Sequence, residues 1–128
     1  MAIAVAPRSD APLFQRWGHE VHGWFNSPHE LEEKPGVFVI ATQGFQIPFV
    51  LDVGESDNVR FTALNHDRRV FWRRNALGSL FYAVIYTENG DSAFLSGFHR
   101  QNIEQRIRSM EQPVFGEHEV FARPHEPQ

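Results

Sequence analysis

The sequence has no cysteine, which excludes a disulfide framework and any metal site built from thiolates. It also lacks an apolar run near the roughly 20 residues that a membrane-spanning helix needs, so we expect no membrane partner. Its first residues carry no basic segment of the kind that begins a secretory signal. These absences favour a cytoplasmic protein.

The chain is long enough for one domain with a real hydrophobic core. It has 128 residues, a hydrophobic fraction of 41% and 12 phenylalanines. Residues 1–11 carry Ala, Pro, Ser and Asp without periodicity, which predicts a flexible arm. We expect a single domain over residues 12–112 and an irregular tail over 113–128.

Positive charge is scarce overall but concentrated in one segment. The formal net charge is −4, which is not typical of a nucleic-acid-binding protein. Between residues 60 and 74, however, there are five arginines and no lysine. A solvated helix face is the ordinary explanation, and contact with phosphates is the alternative, because guanidinium groups suit phosphate oxygens. These arginines are Arg60, Arg68, Arg69, Arg73 and Arg74.

Runs of β-branched and aromatic residues predict five strands. The first two runs also fit a helical period, but Gly18 and Gly23 disfavour a helix by about 1 kcal/mol each relative to alanine. The last run is continuous and apolar, as expected of a central strand. The predicted strands cover residues 13–17, 21–25, 37–42, 49–53 and 80–87.

Capping and periodic residues predict the helical segments. Ser27 before Pro28 predicts one or two turns that end at Glu33, and Ser56 can cap a helix that runs to about His66, with Asp57 in its first turn. Two further helices are expected over 70–75 and 98–110. The order β-β-β-β-α-α-β-α indicates an α+β fold, in which helices pack on a small, mostly antiparallel sheet.

Two triplets carry a family resemblance. Gly36-Val37-Phe38, followed by Asp52-Val53-Gly54, resembles the paired signature of the GIY-YIG nuclease superfamily. The resemblance is closest to small bacterial proteins with a GIY-YIG-like domain, and it covers about residues 36–108. It implies the GIY-YIG fold with extra strands at the N-terminal side. The segments Asn65-His66-Asp67-Arg68 and Ile103–Arg108 also contribute to it.

The resemblance implies hydrolysis of a phosphodiester in DNA or RNA with one divalent metal, Mg²⁺ or Mn²⁺. In the family, one tyrosine helps to deprotonate the water. A second tyrosine, an arginine and a histidine contact the phosphate, and a glutamate holds the metal. Such groups stabilise a phosphoryl transition state. The histidine corresponds to His66 and the glutamate to Glu104.

The other three positions depart from the family pattern. Phe38 and Asp52 replace the two tyrosines, and Thr62 replaces the arginine. Asp52 interrupts an apolar strand, so it is either a metal ligand or an acceptor for N–H groups of a helix or turn. Tyr82 and Tyr86 lie on one face of the predicted central strand, where they replace a lost phenol or pack in the core.

The two retained positions also have structural explanations. His66 can satisfy the last carbonyls of a helix, and Glu104 can pair with Arg108 four residues later.

Three hypotheses follow. The first is a GIY-YIG-like domain that is a weak or inactive nuclease but still binds nucleic acid. The second is an active endonuclease with a rearranged site made of Asp52, His66, Glu104 and one of the two tyrosines. The third is a protein-interaction module that does not contact nucleic acid.

Overall fold

The computed structural model describes residues 12–88 and 92–114. The expected arm over 1–11, most of the predicted turn over 88–91 and nearly all of the predicted tail lie outside the described residues. Within them, the predicted order of strands and helices is confirmed. The strands are β1 (Leu13–Arg16), β2 (His19–Phe25), β3 (Gly36–Thr42), β4 (Phe49–Ser56) and β5 (Leu80–Tyr86). The helices are α1 (Val59–Leu64), α2 (Arg69–Arg74) and α3 (Ala93–Glu111), with a 3₁₀ turn at Pro28–Glu30.

The five strands form one antiparallel sheet in the order β1-β2-β5-β3-β4. The continuous apolar run over residues 80–87 forms the central strand β5, as predicted. All seven residues of β3 are buried, because β3 lies between β5 and β4 and is covered on both faces. Among the strands of the described residues, β4 lies at one edge of the sheet, next to β3 alone.

Helices cover both faces of the sheet and divide the core into two layers. One layer holds α1, α2 and the 3₁₀ turn, and the other holds α3. Core side chains alternate between the two layers along each strand, because successive side chains of a strand point to opposite faces of the sheet. The first layer includes Leu31, Phe38, Leu51, Ala63, Trp72 and Tyr82. The second includes Val21, Val37, Val53, Ile85, Ile103 and Ile107.

A two-residue turn joins β1 to β2 and is tied to the end of α3. Trp17 and Gly18 both have positive φ, 57° and 83°, as a type I′ hairpin turn requires. The Trp17 Nε1–H donates to Glu111 Oε2 at 2.6 Å, and Arg16 Nη2 donates to the same oxygen at 3.1 Å. The two aromatic runs around Gly18 are therefore strands, and the alternative of one helix is wrong.

The cap and the end of α1 differ from the prediction. Asn58, not Ser56, is the N-cap, and its Oδ1 accepts from the Phe61 N–H at 3.1 Å. Strand β4 continues to Ser56, so Asp57 precedes the cap instead of lying in the first turn. The helix ends at Leu64, which places His66 in the turn between α1 and α2.

The other two helical predictions need smaller corrections. The segment after Ser27 is a single 3₁₀ turn, in which Ser27 Oγ accepts from the His29 N–H at 3.1 Å. Helix α3 begins earlier than predicted, because Ser92 caps it through the Leu95 N–H at 3.3 Å. Of the helices in the described part of the chain, none combines the length and apolarity needed to cross a membrane.

Candidate functional site

Asp52 is the centre of a buried polar cluster on the α2 side of the sheet. Its side chain is 1% exposed. Arg68 approaches it with two donors, Nε to Oδ2 at 2.7 Å and Nη2 to Oδ1 at 3.1 Å. The Trp72 Nε1–H donates to Oδ2 at 2.7 Å. The turn and helix that follow α1 thus supply three of the hydrogen bonds to this carboxylate.

Arg108 reaches the same carboxylate from α3, which packs on the opposite face of the sheet. Its Nη2 donates to Asp52 Oδ1 at 3.1 Å and also to the Val53 carbonyl. The Val53 backbone N–H donates to Asp52 Oδ1 at 2.9 Å. A carboxylate has about four lone-pair sites, and these donors occupy them. The carboxylate of Asp52 therefore has a structural environment, but its backbone donor belongs to β4 and not to a helix or turn, and arginine and indole side chains supply the other hydrogen bonds.

Glu104 belongs to this cluster through Arg108. The Arg108 Nε donates to Glu104 Oε2 at 3.0 Å, so one guanidinium joins the carboxylates of Glu104 and Asp52. Burial raises the pKa of Glu104, and the hydrogen bond and charge of Arg108 oppose that rise. No group of three or more His, Cys, Asp or Glu side chains suited to a metal occurs among residues 12–88 and 92–114. We call Asp52, Arg68, Trp72, Glu104 and Arg108 the Asp52 cluster.

His66 packs against the edge of the Asp52 cluster. Its Nδ1 accepts from the Arg68 backbone N–H at 3.0 Å, and its ring lies 4.8 Å from the Trp72 ring, centroid to centroid. Burial lowers the pKa of His66, and the positive charge of Arg68 lowers it further. The structure thus brings His66, Asp52 and Glu104 into one neighbourhood, where arginine side chains bind both carboxylates.

Phe38 and Thr62 have structural partners of their own. Phe38 is 1% exposed and lies across from Gly54 in the β3–β4 pair. Its ring covers that glycine, since a Cβ added to Gly54 would overlap it. The Thr62 hydroxyl is 2.6 Å from the Ser56 hydroxyl, within hydrogen-bonding distance. Neither side chain supplies the acid–base or cationic group that the family pattern has at its position.

The two tyrosines of β5 lie in the same core layer but differ in their surroundings. The Tyr86 hydroxyl accepts from the Glu32 backbone N–H at 2.9 Å, and the Lys34 ammonium lies 5.5 Å from its ring centroid. Tyr86 therefore anchors the segment that follows the 3₁₀ turn. Tyr82 instead lines an open pocket of about 240 Å³ between α2, β5 and the 3₁₀ turn. We call this the α2–β5 pocket.

The five predicted arginines divide into two groups. Arg60 donates to the Leu31 carbonyl at 2.7 Å and to Glu33 at 3.1 Å, and Arg68 binds Asp52. The other three are exposed on α2, and no carboxylate among the described residues pairs with any of them. We call this set the α2 face, made of Arg69, Arg73 and Arg74.

Sequence reasoning missed two members of the Asp52 cluster. The sequence predicts Arg108 only as the helical partner of Glu104, yet its side chain is 8% exposed and also binds Asp52. Trp72 had no predicted role, although a tryptophan inside a run of arginines indicates an inward-facing position. Arg108 lies on α3, which packs on the opposite face of the sheet from α2. No local pattern in the sequence indicates that its side chain reaches Asp52 on β4.

The chain matches no protein-family model, and no curated protein or solved structure matches it significantly.

Proposed function

We propose that this chain is a GIY-YIG-like domain that binds nucleic acid through the α2 face and hydrolyses phosphodiesters weakly or not at all. One observation carries the proposal. Arg69 and Arg73 line an open pocket together with Tyr82, whereas the charged groups around Asp52 are bound to one another. Cations that lack a carboxylate partner are available to phosphate oxygens.

The positions that would do the chemistry lack the groups it needs. Phe38 has no proton to exchange, Thr62 has no charge, and the Asp52 oxygens are occupied by donors. Removal of one transition-state donor costs about 10²–10³ in rate, and removal of the base adds to that. A metal held by Glu104 would have to compete with Arg108, which donates to its carboxylate.

Binding is tested by fluorescence anisotropy with labelled single- and double-stranded oligonucleotides over a range of salt concentrations. We expect affinity to fall steeply as salt rises. Each single-strand phosphate contact that is lost should reduce the log–log salt slope by about 0.7. Arg73→Gln should reduce the slope, and the matched control Arg106→Gln, an exposed arginine on α3, should not. Absence of binding at low salt would overturn the proposal.

Catalysis is tested with the same oligonucleotides in Mg²⁺ or Mn²⁺. We expect no efficient cleavage, because the water-activating tyrosine and two of the three phosphate-binding groups are replaced. Efficient cleavage that Glu104→Ala abolishes, in a variant that still folds by circular dichroism, would show the rearranged endonuclease instead. The double variant Phe38→Tyr with Thr62→Arg is a useful companion that restores two of the three replaced family residues.

A second candidate, the protein-interaction module, is favoured by one surface feature. The β3–β4 loop and the start of β4 expose three large apolar side chains, Phe45 (97%), Ile47 (60%) and Phe49 (52%). Exposed apolar clusters mark interaction surfaces on soluble proteins. A chain that binds no oligonucleotide at low salt but associates with a protein partner, and loses this with Phe45→Ser and Ile47→Ser, would support this candidate.

A further inference from the structure

The α2–β5 pocket has the charge and the donors of an anion site. Arg69 and Arg73 lie four residues apart, so they occupy the same face of α2. Leu80 and Tyr82 of β5 and His29 of the 3₁₀ turn also line it. None of the described residues that line it carries a carboxylate.

A second charged pocket shows why the absence of a carboxylate matters. That pocket lies beside the β3–β4 loop, and the arginine lining it, Arg16, is bound to Glu111 at 3.1 Å. Its positive charge is therefore compensated within the chain. In the α2–β5 pocket, the two guanidinium groups have no anion from the described residues. An external anion would supply the missing charge.

Tyr82 adds a neutral donor to the two cations. Burial raises the pKa of Tyr82, while the nearby charges of Arg73 and Arg69 act to lower it. The phenol therefore keeps its proton at neutral pH and can donate to an oxygen of the ligand. The volume of about 240 Å³ far exceeds the roughly 10–15 Å³ that a cavity needs to hold one water molecule, which leaves room for a phosphate group.

We propose that the α2–β5 pocket binds the terminal phosphomonoester of a nucleic-acid strand, with Arg69, Arg73 and the Tyr82 hydroxyl as donors. This inference rests on the proposed function. A terminal phosphate carries about −1.5 to −2 charges at pH 7 and three oxygens able to accept hydrogen bonds. Two guanidinium groups match that charge. A phosphodiester within a strand carries one charge and two such oxygens, so it uses this donor set less fully.

The test compares oligonucleotides of one sequence that end in a 5′-phosphate, a 3′-phosphate or hydroxyl groups only. Affinities are measured by anisotropy at fixed ionic strength. Charge-assisted hydrogen bonds predict that one of the phosphorylated ends binds about tenfold to a hundredfold more tightly than the hydroxyl form. Arg69→Gln with Arg73→Gln should abolish this preference, and Tyr82→Phe should reduce it while preserving the fold. The Arg106→Gln control should keep the preference, and inorganic phosphate should compete with the phosphorylated oligonucleotide.

The outcomes separate this inference from the proposal on which it rests. Equal affinity for all three oligonucleotides, with the salt dependence intact, would overturn the phosphomonoester site and leave nucleic-acid binding standing. A preference that survives in the double arginine variant would also overturn it. Failure to bind any oligonucleotide would overturn both. In that case, binding of a phosphopeptide, lost in the double variant, would assign the pocket to a protein ligand.

Discussion

Arg68 and Arg69 are neighbours in the chain, but their guanidinium groups belong to two different regions. Arg68 turns inward and binds Asp52 with two hydrogen bonds. Arg69 turns outward, donates to the His66 carbonyl at 3.3 Å and lines the α2–β5 pocket. In the Asp52 cluster, the charges compensate one another and connect the two layers of the core. On the α2 face, the charges remain exposed.

This difference shows that a run of arginines does not by itself define a binding surface. A buried charge needs partners, so the buried carboxylate of Asp52 binds Arg68, while the arginines of the α2 face stay at the surface. Substitutions in the Asp52 cluster should therefore change stability, and substitutions on the α2 face should change binding alone. The effect on the free energy of unfolding should therefore decrease from Asp52 outward to the α2 face.

Asp52→Asn should have the largest effect. It removes the negative charge but leaves Arg68 and the buried Arg108 in place. Breaking a buried ion pair in this way costs about 3–5 kcal/mol, because a charge remains without compensation. Urea unfolding followed by circular dichroism measures the loss. Asp67→Asn, at an exposed position next to Arg68 in the chain, is the matched control, and it should change the free energy of unfolding by no more than about 0.5 kcal/mol. Equal losses in the two variants would contradict the division.

Trp72→Phe should have a smaller effect. It keeps a buried aromatic ring but removes the indole N–H that donates to Asp52 at 2.7 Å. Removal of a buried donor costs about 1–3 kcal/mol. In combination with Asp52→Asn, the cost of Trp72→Phe should be less than additive, since the two groups share one interaction. Strict additivity would show that the tryptophan acts through packing alone.

His66 should make stability depend on pH near neutrality. Burial lowers its pKa from the usual 6.5, so the unfolded chain takes up a proton at a higher pH than the folded chain. Stability from the neutral imidazole is present above the unfolded pKa and is lost as pH falls through the lower folded pKa. His66→Gln should flatten this dependence. The measurement is the unfolding free energy of both proteins at pH values above and below 6.5, with an NMR titration of the imidazole. A dependence unchanged in the variant would contradict the assignment.

The double variant Arg69→Gln with Arg73→Gln should have the smallest effect on stability. Surface substitutions of this kind stay within about 0.5 kcal/mol. The same variant should weaken oligonucleotide binding and reduce its salt slope, so stability and binding separate. A large loss of stability, measured by the same urea titration, would place these arginines with the Asp52 cluster and not with the binding surface.

Most of the fold could be predicted because its strands carry a strong local signal. The continuous apolar runs of β5 and of β3, which begins at Gly36, indicate strands whatever their neighbours are. The end of α1 was harder to predict, since Asn58 and Ser56 are both good caps and the choice depends on how far β4 continues. Because α1 ends at Leu64, His66 lies in a turn and not in the predicted helix.

The candidate site was predicted in part. An isolated carboxylate in an apolar strand correctly indicated that Asp52 needs partners. The identity of those partners could not be predicted, because Arg108 is 56 residues away and its approach depends on the packing of α3. For the same reason, Tyr82 could not be assigned to a pocket before the position of the 3₁₀ turn was known.

The position of Asp52 on β4 has a consequence for self-association. An edge strand leaves backbone groups unpaired, and these can recruit a strand from another molecule. Among the described strands β4 is such an edge, but Arg108 donates to the Val53 carbonyl, and Arg100 binds Glu55, two residues further along β4, at 2.9 Å. A charged group at a sheet edge hinders the approach of a second sheet. The same guanidinium that compensates a buried carboxylate thus also protects the chain against edge-to-edge aggregation.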